Sequence, residues 1–419
     1  MKMNVPRIAV LVDLPRDANA GGHVRYWERI AQAALREDAP VDLTIYFSGN
    51  GDNDILSPRL RYRYLPPVFS TDRLKFLSYV PAHTDLAPFH PKLSEELPGY
   101  DVIHTTDGFF AYARTAERIA RWNKIPLVTS FHTDTPAYAE LFTRATLKSV
   151  LGGKFGDWFG EFFGIPARAR AGKIKKFKQH LAACAAALAM RGEDIALLQE
   201  VLTVDRIKPM HLGVDKDLFS PQRQDRNGVE RDYGIPAGKF VALFVGRVDV
   251  GKNMDVLMQS CAAAIAAGVN LHLVVAGIGP MGDEVKKTLG NDVTLTGVIP
   301  PEKLARLYAS VDCLTIASDI EIGGMIGLEA LAAGCPVLVS RKSGVAQLCH
   351  DTQAMRMVES GVEAWTAALI DAAKNPAAMS EMRDAAFAYR RDFTLTWADV
   401  LNRDFLPVWQ KAALAAGRA

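Results

Sequence analysis

Cysteine is scarce and unpatterned in this chain: the five, Cys184, Cys261, Cys313, Cys335 and Cys349, are odd in number and share no Cys-x-x-Cys or His-Cys spacing. That excludes a disulfide framework or a zinc module and points to small core residues in a reducing compartment. Long hydrophobic runs are also absent. The longest wholly apolar one, Leu181 to Met190, is too short to span a bilayer. The longer uncharged stretch from Val256 to Gly282 is broken by Gln259, Ser260, Asn270 and His272, and reads as a helix followed by a strand. Residues 1–6 carry no signal-peptide pattern. A cytoplasmic protein is expected, at most peripheral on the inner face of the plasma membrane. Charge of one sign is lacking too, with 49 basic against 47 acidic side chains. A general nucleic-acid binder is therefore not expected.

What is present is a long alternation of short apolar runs with amphipathic segments. A chain of 419 residues exceeds one ordinary core, so two domains of about 200 residues each are expected. In the first half, strands are read at Ile8–Val12, Val41–Phe47, Asp101–His104 and Leu127–Phe131, with helices over His23–Arg36 and Phe109–Trp122. In the second, strands at Phe240–Val245, Leu271–Ala276, Val293–Thr296, Cys313–Ala317 and Pro336–Val339 alternate with helices Met254–Ala267, Gly282–Leu289, Pro301–Ala309 and Gly324–Ala333. Such alternation predicts two doubly wound α/β domains, residues 1–212 and 213–394. A C-terminal helical segment, about 395–419, is expected to return to the first. Ligands of such sheets bind beyond the carboxyl ends of the strands, so the site is expected in a cleft between facing domains.

The most informative spacing is Glu321 and Glu329, separated by the seven residues Ile322-Gly323-Gly324-Met325-Ile326-Gly327-Leu328. It places one carboxylate in a strand-to-helix loop and the other inside the helix. Glycines and a helix N-terminus leave amides for anionic oxygens, and ionised carboxylates accept hydrogen bonds from sugar hydroxyls. Phosphate and sugar together suggest a nucleotide sugar, and two solvated helix glutamates are the plain alternative. Gly246-Arg247 ends one strand, and Lys252 follows five residues later. Two cations at a glycine turn suit a departing diphosphate, although such a pair is also ordinary surface.

Gly277-Ile278-Gly279-Pro280-Met281-Gly282 satisfies GxGxxG between a strand and a helix. A nicotinamide site also wants an acidic residue ending the next strand, and that strand ends in Thr296-Gly297-Val298. Gly277 and Gly279 are accordingly read as loop glycines open to a nucleotide, with a tight structural turn as the alternative. Gly21-Gly22 lies at the first strand-to-helix junction, where it is either a phosphate or acceptor contact or a flexible loop. His132 ends another strand at the cleft edge, as a structural or solvated residue or a polar contact to substrate.

Taken together, the Gly21-Gly22 loop, His132, Gly246-Arg247 with Lys252, Gly277 to Pro280 and Glu321 to Glu329 resemble the retaining GT-B glycosyltransferases of family four, the glycosyl transferases group 1. The resemblance implies that Arg247 and Lys252 hold the donor diphosphate and that Glu329 binds the ribose hydroxyls. Glu321, with the Gly324 and Met325 amides, would bind the transferred sugar and distal phosphate. His132 would lie near the sugar C6 hydroxyl, Gly21 or Gly22 near the diphosphate, and Val298 at the base. It further implies retention through same-face attack, with no metal and no cofactor. Two departures stand out. Gly323 replaces an aromatic residue common in the Glu-containing loop, and Ile278-Gly279-Pro280 replaces the short Asp-Gly-Pro form.

Residues 141–180 hold nine Lys or Arg against Asp157 and Glu161, together with Phe142, Phe155, Trp158, Phe159, Phe162, Phe163 and Phe177. Aromatics beside cations suggest an anionic membrane surface and a lipid acceptor; the alternative is a helical insertion packing on the first domain. The reading is thus a hexose-type transfer from a nucleoside-diphosphate sugar, with UDP expected, to the hydroxyl of a membrane lipid or lipid-linked glycan. A soluble acceptor, an NAD-dependent oxidoreductase and a non-catalytic nucleotide-sugar binder are the alternatives.

Overall fold

The computed structural model describes residues 5–17, 20–70, 85–132, 135–320, 324–348, 352–392 and 394–418. Contacts divide the chain into two units, Met1–His211 with Trp397–Ala419, and Leu212–Thr396.

The first unit is built on an eight-stranded sheet. Its strands are β1 (Arg7–Pro15), β2 (Asp42–Ser48), β3 (Asp54–Ser57), β4 (Leu60–Leu65), β5 (Val102–Thr105), β6 (Leu127–Ser130), β7 (Ala186–Ala189) and β8 (Ile207–Pro209). They are ordered β3-β4-β2-β1-β5-β6-β7-β8. Only the β3–β4 pair is antiparallel; the others run parallel. Ile8 to Val12 is wholly buried, as a continuous apolar run covered by helices on both faces must be. The Gly22–Arg36 helix turns Val24, Trp27, Ile30, Ala31 and Ala34 inward, the i, i+3, i+4 pattern that covers a sheet.

The second unit carries β9 (Phe240–Val245), β10 (Leu271–Ala276), β11 (Val293–Gly297), β12 (Cys313–Ile316), β13 (Val337–Ser340) and β14 (Met355–Val358). Their order is β11-β10-β9-β12-β13-β14, parallel throughout. Strand order reverses beside β1 in one unit and beside β9 in the other. Such switch points open a crevice at the carboxyl ends of the strands. Both units are therefore doubly wound Rossmann-like folds, the expected α/β class.

Several elements go beyond the sequence reading. The β3–β4 hairpin was not expected, because Leu60–Leu65 interleaves arginines with apolar residues. Those arginines are paired: Arg63 with Glu96 and Arg61 with Asp42. Strand β7 is the sequence Ala-Ala-Leu-Ala, inside the apolar run whose first residues close a helix ending at Ala183. The C-terminal segment begins with the Trp397–Val400 helix, continues through a π-helical turn at Leu401–Phe405 and ends in the Leu406–Ala415 helix. It buries Phe405 and Trp409 in the first unit, against Trp27 and His104. Cys184, Cys261, Cys313 and Cys335 are free and buried, and burial pushes the Cys261 thiol up to about 12. Cys349 lies outside the described residues.

Candidate functional site

In the second unit the expected cations stand on the loop after β9, the strand beside the switch point. Gly246 takes φ +138°, a conformation that favours glycine. Arg247 is 45% exposed, and its Nε is 2.7 Å from the Asp249 carboxylate. Asp249 also accepts from the Lys252 amide at 3.2 Å, so one acid fixes the guanidinium and the turn that carries Lys252. The Lys252 Cε lies 4.0 Å from where a Cβ on Gly246 would stand, which brings the lysine back over the strand end. Two further bonds tie this loop to the end of β12. Asn253, at φ +51°, donates its amide to the Ala317 carbonyl at 2.9 Å, and the Ser318 hydroxyl donates to the Gly251 carbonyl at 3.0 Å.

Of the two readings of Gly277 and Gly279, the tight structural turn is the one their surroundings fit. A Cβ on Gly277 would stand 1.8 Å from the Gly246 carbonyl oxygen, and one on Gly279 would stand 2.3 Å from that of Val248. The Val248 amide donates to Ile278 at 3.0 Å, and Met281 donates back to Val248 at 3.1 Å. The close approach these glycines permit is thus between two loops. They let the β10 loop lock the β9 loop that holds Arg247. The helix after that loop, Gly282–Leu289, has Asp283 and Glu284 in its first turn, where a dinucleotide pyrophosphate would meet negative charge.

Glu321 and Gly323 lie outside the described residues. Gly324 takes φ +52°, and Met325 starts the Met325–Ala332 helix. A Cβ on Gly327 would stand 2.6 Å from a Val345 methyl carbon, so the helix packs closely against the one beginning at Gly344. Glu329, the fifth helical residue, is half-buried. Beside it Tyr308 is fully buried. Burial, and then the Glu329 charge, pushes the Tyr308 pKa well above its ordinary value. Val298 follows Gly297 at the end of β11 and is 48% exposed. Arg247, Lys252, Gly277, Gly279 and Val298 all lie at the carboxyl ends of neighbouring strands, and Met325 and Glu329 stand on the helix after β12.

In the first unit, Gly21 and Gly22 are exposed; Gly21 caps the helix after β1 and Gly22 is its first residue. His132 follows β6 and is stacked on His23 with ring centroids 4.6 Å apart and planes 8° from parallel. The glycine junction and the expected histidine therefore meet through a residue that sequence reasoning missed. Three more were missed. The Ser130 hydroxyl is 2.8 Å from His132 Nε2 and 2.8 Å from His104 Nε2. The Trp409 indole donates to His104 Nδ1 at 2.9 Å. Burial lowers His23 and His104 to about 3. Burial also lowers His132 well below its ordinary value, with His23 and His104 adding to the effect. Neutral imidazoles can stack face to face without charge repulsion. The available signal was Ser130-x-His132 at a strand end beside a histidine on the neighbouring strand.

Residues 141–180 divide between two environments. Phe177 is buried against Phe109 and Phe131. On the Gly153–Phe162 helix and just past it, Phe155, Trp158, Phe162 and Phe163 are 56%, 55%, 68% and 44% exposed.

Residues 225–389 match the family model described as "Glycosyl transferases group 1". That span covers most of the second unit, Leu212–Thr396. Over 339 residues the chain is 28% identical to D-inositol 3-phosphate glycosyltransferase 1 of Catenulispora acidiphila, covering 77% of this chain and 74% of that protein. The matches to three further curated relatives span 52%, 49% and 47% of their lengths. Among solved structures, the chain is similar to sucrose-phosphate synthase from Thermosynechococcus elongatus at a TM-score of 0.66 and 18% identity, over 99% of this chain and 98% of that one. It is also similar to Anabaena Alr3699/HepE in complex with UDP and glucose, at 0.64 and 14%, over 99% and 100%. These likenesses give the GT-B fold class. The group 1 match includes the strand ends carrying Arg247, Lys252, Gly277, Gly279 and Val298, and the helix carrying Glu329.

Proposed function

We propose that the chain is a retaining glycosyltransferase that moves a hexose-type sugar from a nucleoside-diphosphate sugar to a hydroxyl acceptor. The observation that carries this reading is the Arg247–Asp249–Lys252 turn, locked by Gly277 and Gly279 at the switch point of the unit that the group 1 family model matches. A diphosphate gains negative charge as the glycosidic bond breaks, and fixed cations stabilise that change more than they stabilise the intact donor. Asp249 has the complementary task of holding the guanidinium in place before the donor arrives. In this reading Glu329 accepts from the ribose hydroxyls and Val298 lines the base. Glu321 with the Gly324 and Met325 amides takes the sugar and distal phosphate. Gly21, Gly22 and His132 are assigned to the donor as well, His132 at a sugar hydroxyl. Retention follows when the acceptor attacks the face that the phosphate leaves, with a phosphate oxygen taking the acceptor proton.

UDP is the proposed nucleotide; the solved UDP complex of Alr3699/HepE supports that choice by analogy of fold. The cationic pair takes the part a divalent ion plays in other transferases, so full activity in EDTA is expected. A lipid or lipid-linked acceptor is favoured by the exposed Phe155, Trp158, Phe162 and Phe163 beside the basic residues of 141–180, a combination that suits an anionic interface. The test is a panel of UDP and GDP sugars incubated with lipid extract and with soluble polyols, with product mass recorded. Transfer to a lipid supports the whole reading. Transfer only to a polyol removes the membrane assignment, and thermal stabilisation by NAD alone removes the transferase.

A further inference from the structure

The hydrogen-bond chain behind His132 runs in one direction. An indole N–H can only donate, so Trp409 compels His104 Nδ1 to accept at 2.9 Å. A neutral His104 then carries its proton on Nε2, and that N–H donates to the Ser130 oxygen at 2.8 Å. Ser130 is buried, and its side-chain oxygen contacts only the two imidazoles among the described residues. Its own hydrogen has one acceptor within reach, His132 Nε2 at 2.8 Å. The opposite arrangement, with His132 donating to the same oxygen, would leave a buried hydroxyl hydrogen unpaired, which is unfavourable.

We propose that Trp409, His104 and Ser130 fix His132 in the Nδ1–H tautomer, making it a dedicated hydrogen-bond donor to a ligand oxygen and not a general base at that atom. Stacking on His23 at 4.6 Å and the edge of Tyr26 at 4.8 Å hold the ring plane. His132 is half-buried, and its Nδ1 has no hydrogen-bond partner among the described residues. That N–H remains for a ligand oxygen. A fixed neutral donor suits a sugar hydroxyl oxygen, which an imidazole able to switch tautomers would meet as donor or acceptor indifferently. Ser130, His104 and Trp409 are positioning residues in this arrangement. The identity of the oxygen rests on the donor-sugar reading of His132, whereas the tautomer does not.

The experiment is long-range proton–nitrogen NMR of the full chain labelled with nitrogen-15 histidine, assigned with His132→Gln. The wild type is expected to show His132 protonated at Nδ1. Ser130→Ala should return it to the Nε2–H form that free imidazole favours, and Ser130→Thr should restore Nδ1–H. Wild-type His132 protonated at Nε2, or an unchanged tautomer in Ser130→Ala, would overturn the proposal. Hydrolysis of the UDP-hexose gives a second readout. Ser130→Ala should lower kcat about tenfold with little change in KM, with recovery in Ser130→Thr. If wild-type protein neither binds nor hydrolyses any nucleotide sugar while the Nδ1–H assignment holds, the functional reading fails and the relay stands.

Discussion

At the scale of single residues, the proposed donor site of the second unit rests on a few groups held by backbone geometry. Gly277 shows how little latitude there is. Its φ of +152° and the carbonyl oxygen 1.8 Å from a would-be Cβ imply that Gly277→Ala destabilises the unit by about 3 kcal/mol. Chemical denaturation would measure this, and the β9 loop must shift with it, so nucleotide affinity should fall in the same variant. Asp249→Asn keeps the turn's acceptor but removes the charge that holds Arg247. It should weaken nucleotide binding by about tenfold, read by calorimetric titration. His104 supplies a pH signature. Its folded-state pKa of about 3 lies below its ordinary 6.5, so the unfolded chain takes up the proton first as pH falls. The stabilisation His104 contributes is complete above about pH 6.5 and is lost progressively toward pH 3. The stability deficit of His104→Gln relative to wild type should accordingly be largest at pH 7 to 8 and shrink on acidification. A deficit that is constant with pH would contradict a buried neutral imidazole.

Among the described elements, the Gly153–Phe162 helix exposes Phe155, Trp158 and Phe162 together. Trp158 stacks on Phe162 with centroids 5.4 Å apart, so the two form one apolar ledge. Replacing both with Ala should weaken co-sedimentation with anionic vesicles about tenfold, and added salt should weaken the wild type. The sequence carried these aromatics and cations plainly, but periodicity alone could not divide them. Phe177 went to the core and Trp158 to the surface because of the neighbours each helix meets. The same limit explains the strands. Buried parallel strands such as β1 and β10 were legible as continuous apolar runs. Strand β4, whose arginines find acids elsewhere in the chain, and the alanine-rich β7 were not. Glycine chemistry was half legible: Gly277 and Gly279 announced a close approach, but only the fold identified a neighbouring loop as what approaches. His23, Ser130, His104 and Trp409 were illegible as a set, since 305 residues separate the last two.

For the whole molecule, the chain's return after Thr396 is part of the first unit's interior. Trp409 and Phe405 are fully buried there, and Trp409 supplies the donor that begins the His104 chain. A protein ending at Thr396 should leave the first unit unfolded, because Trp27, His104 and the neighbouring strands would lose that cover. Limited proteolysis should then cut within residues 1–211 and spare 212–396. We propose that the second unit binds a nucleotide sugar, the turn at Arg247 meeting the diphosphate and Glu329 the ribose. Calorimetric titration of UDP into wild type and Glu329→Ala tests this most directly. Binding to the wild type that weakens about 10- to 100-fold in the variant is the predicted result. Equal UDP affinity in the two proteins, or binding of NAD with none of UDP or GDP, would contradict it.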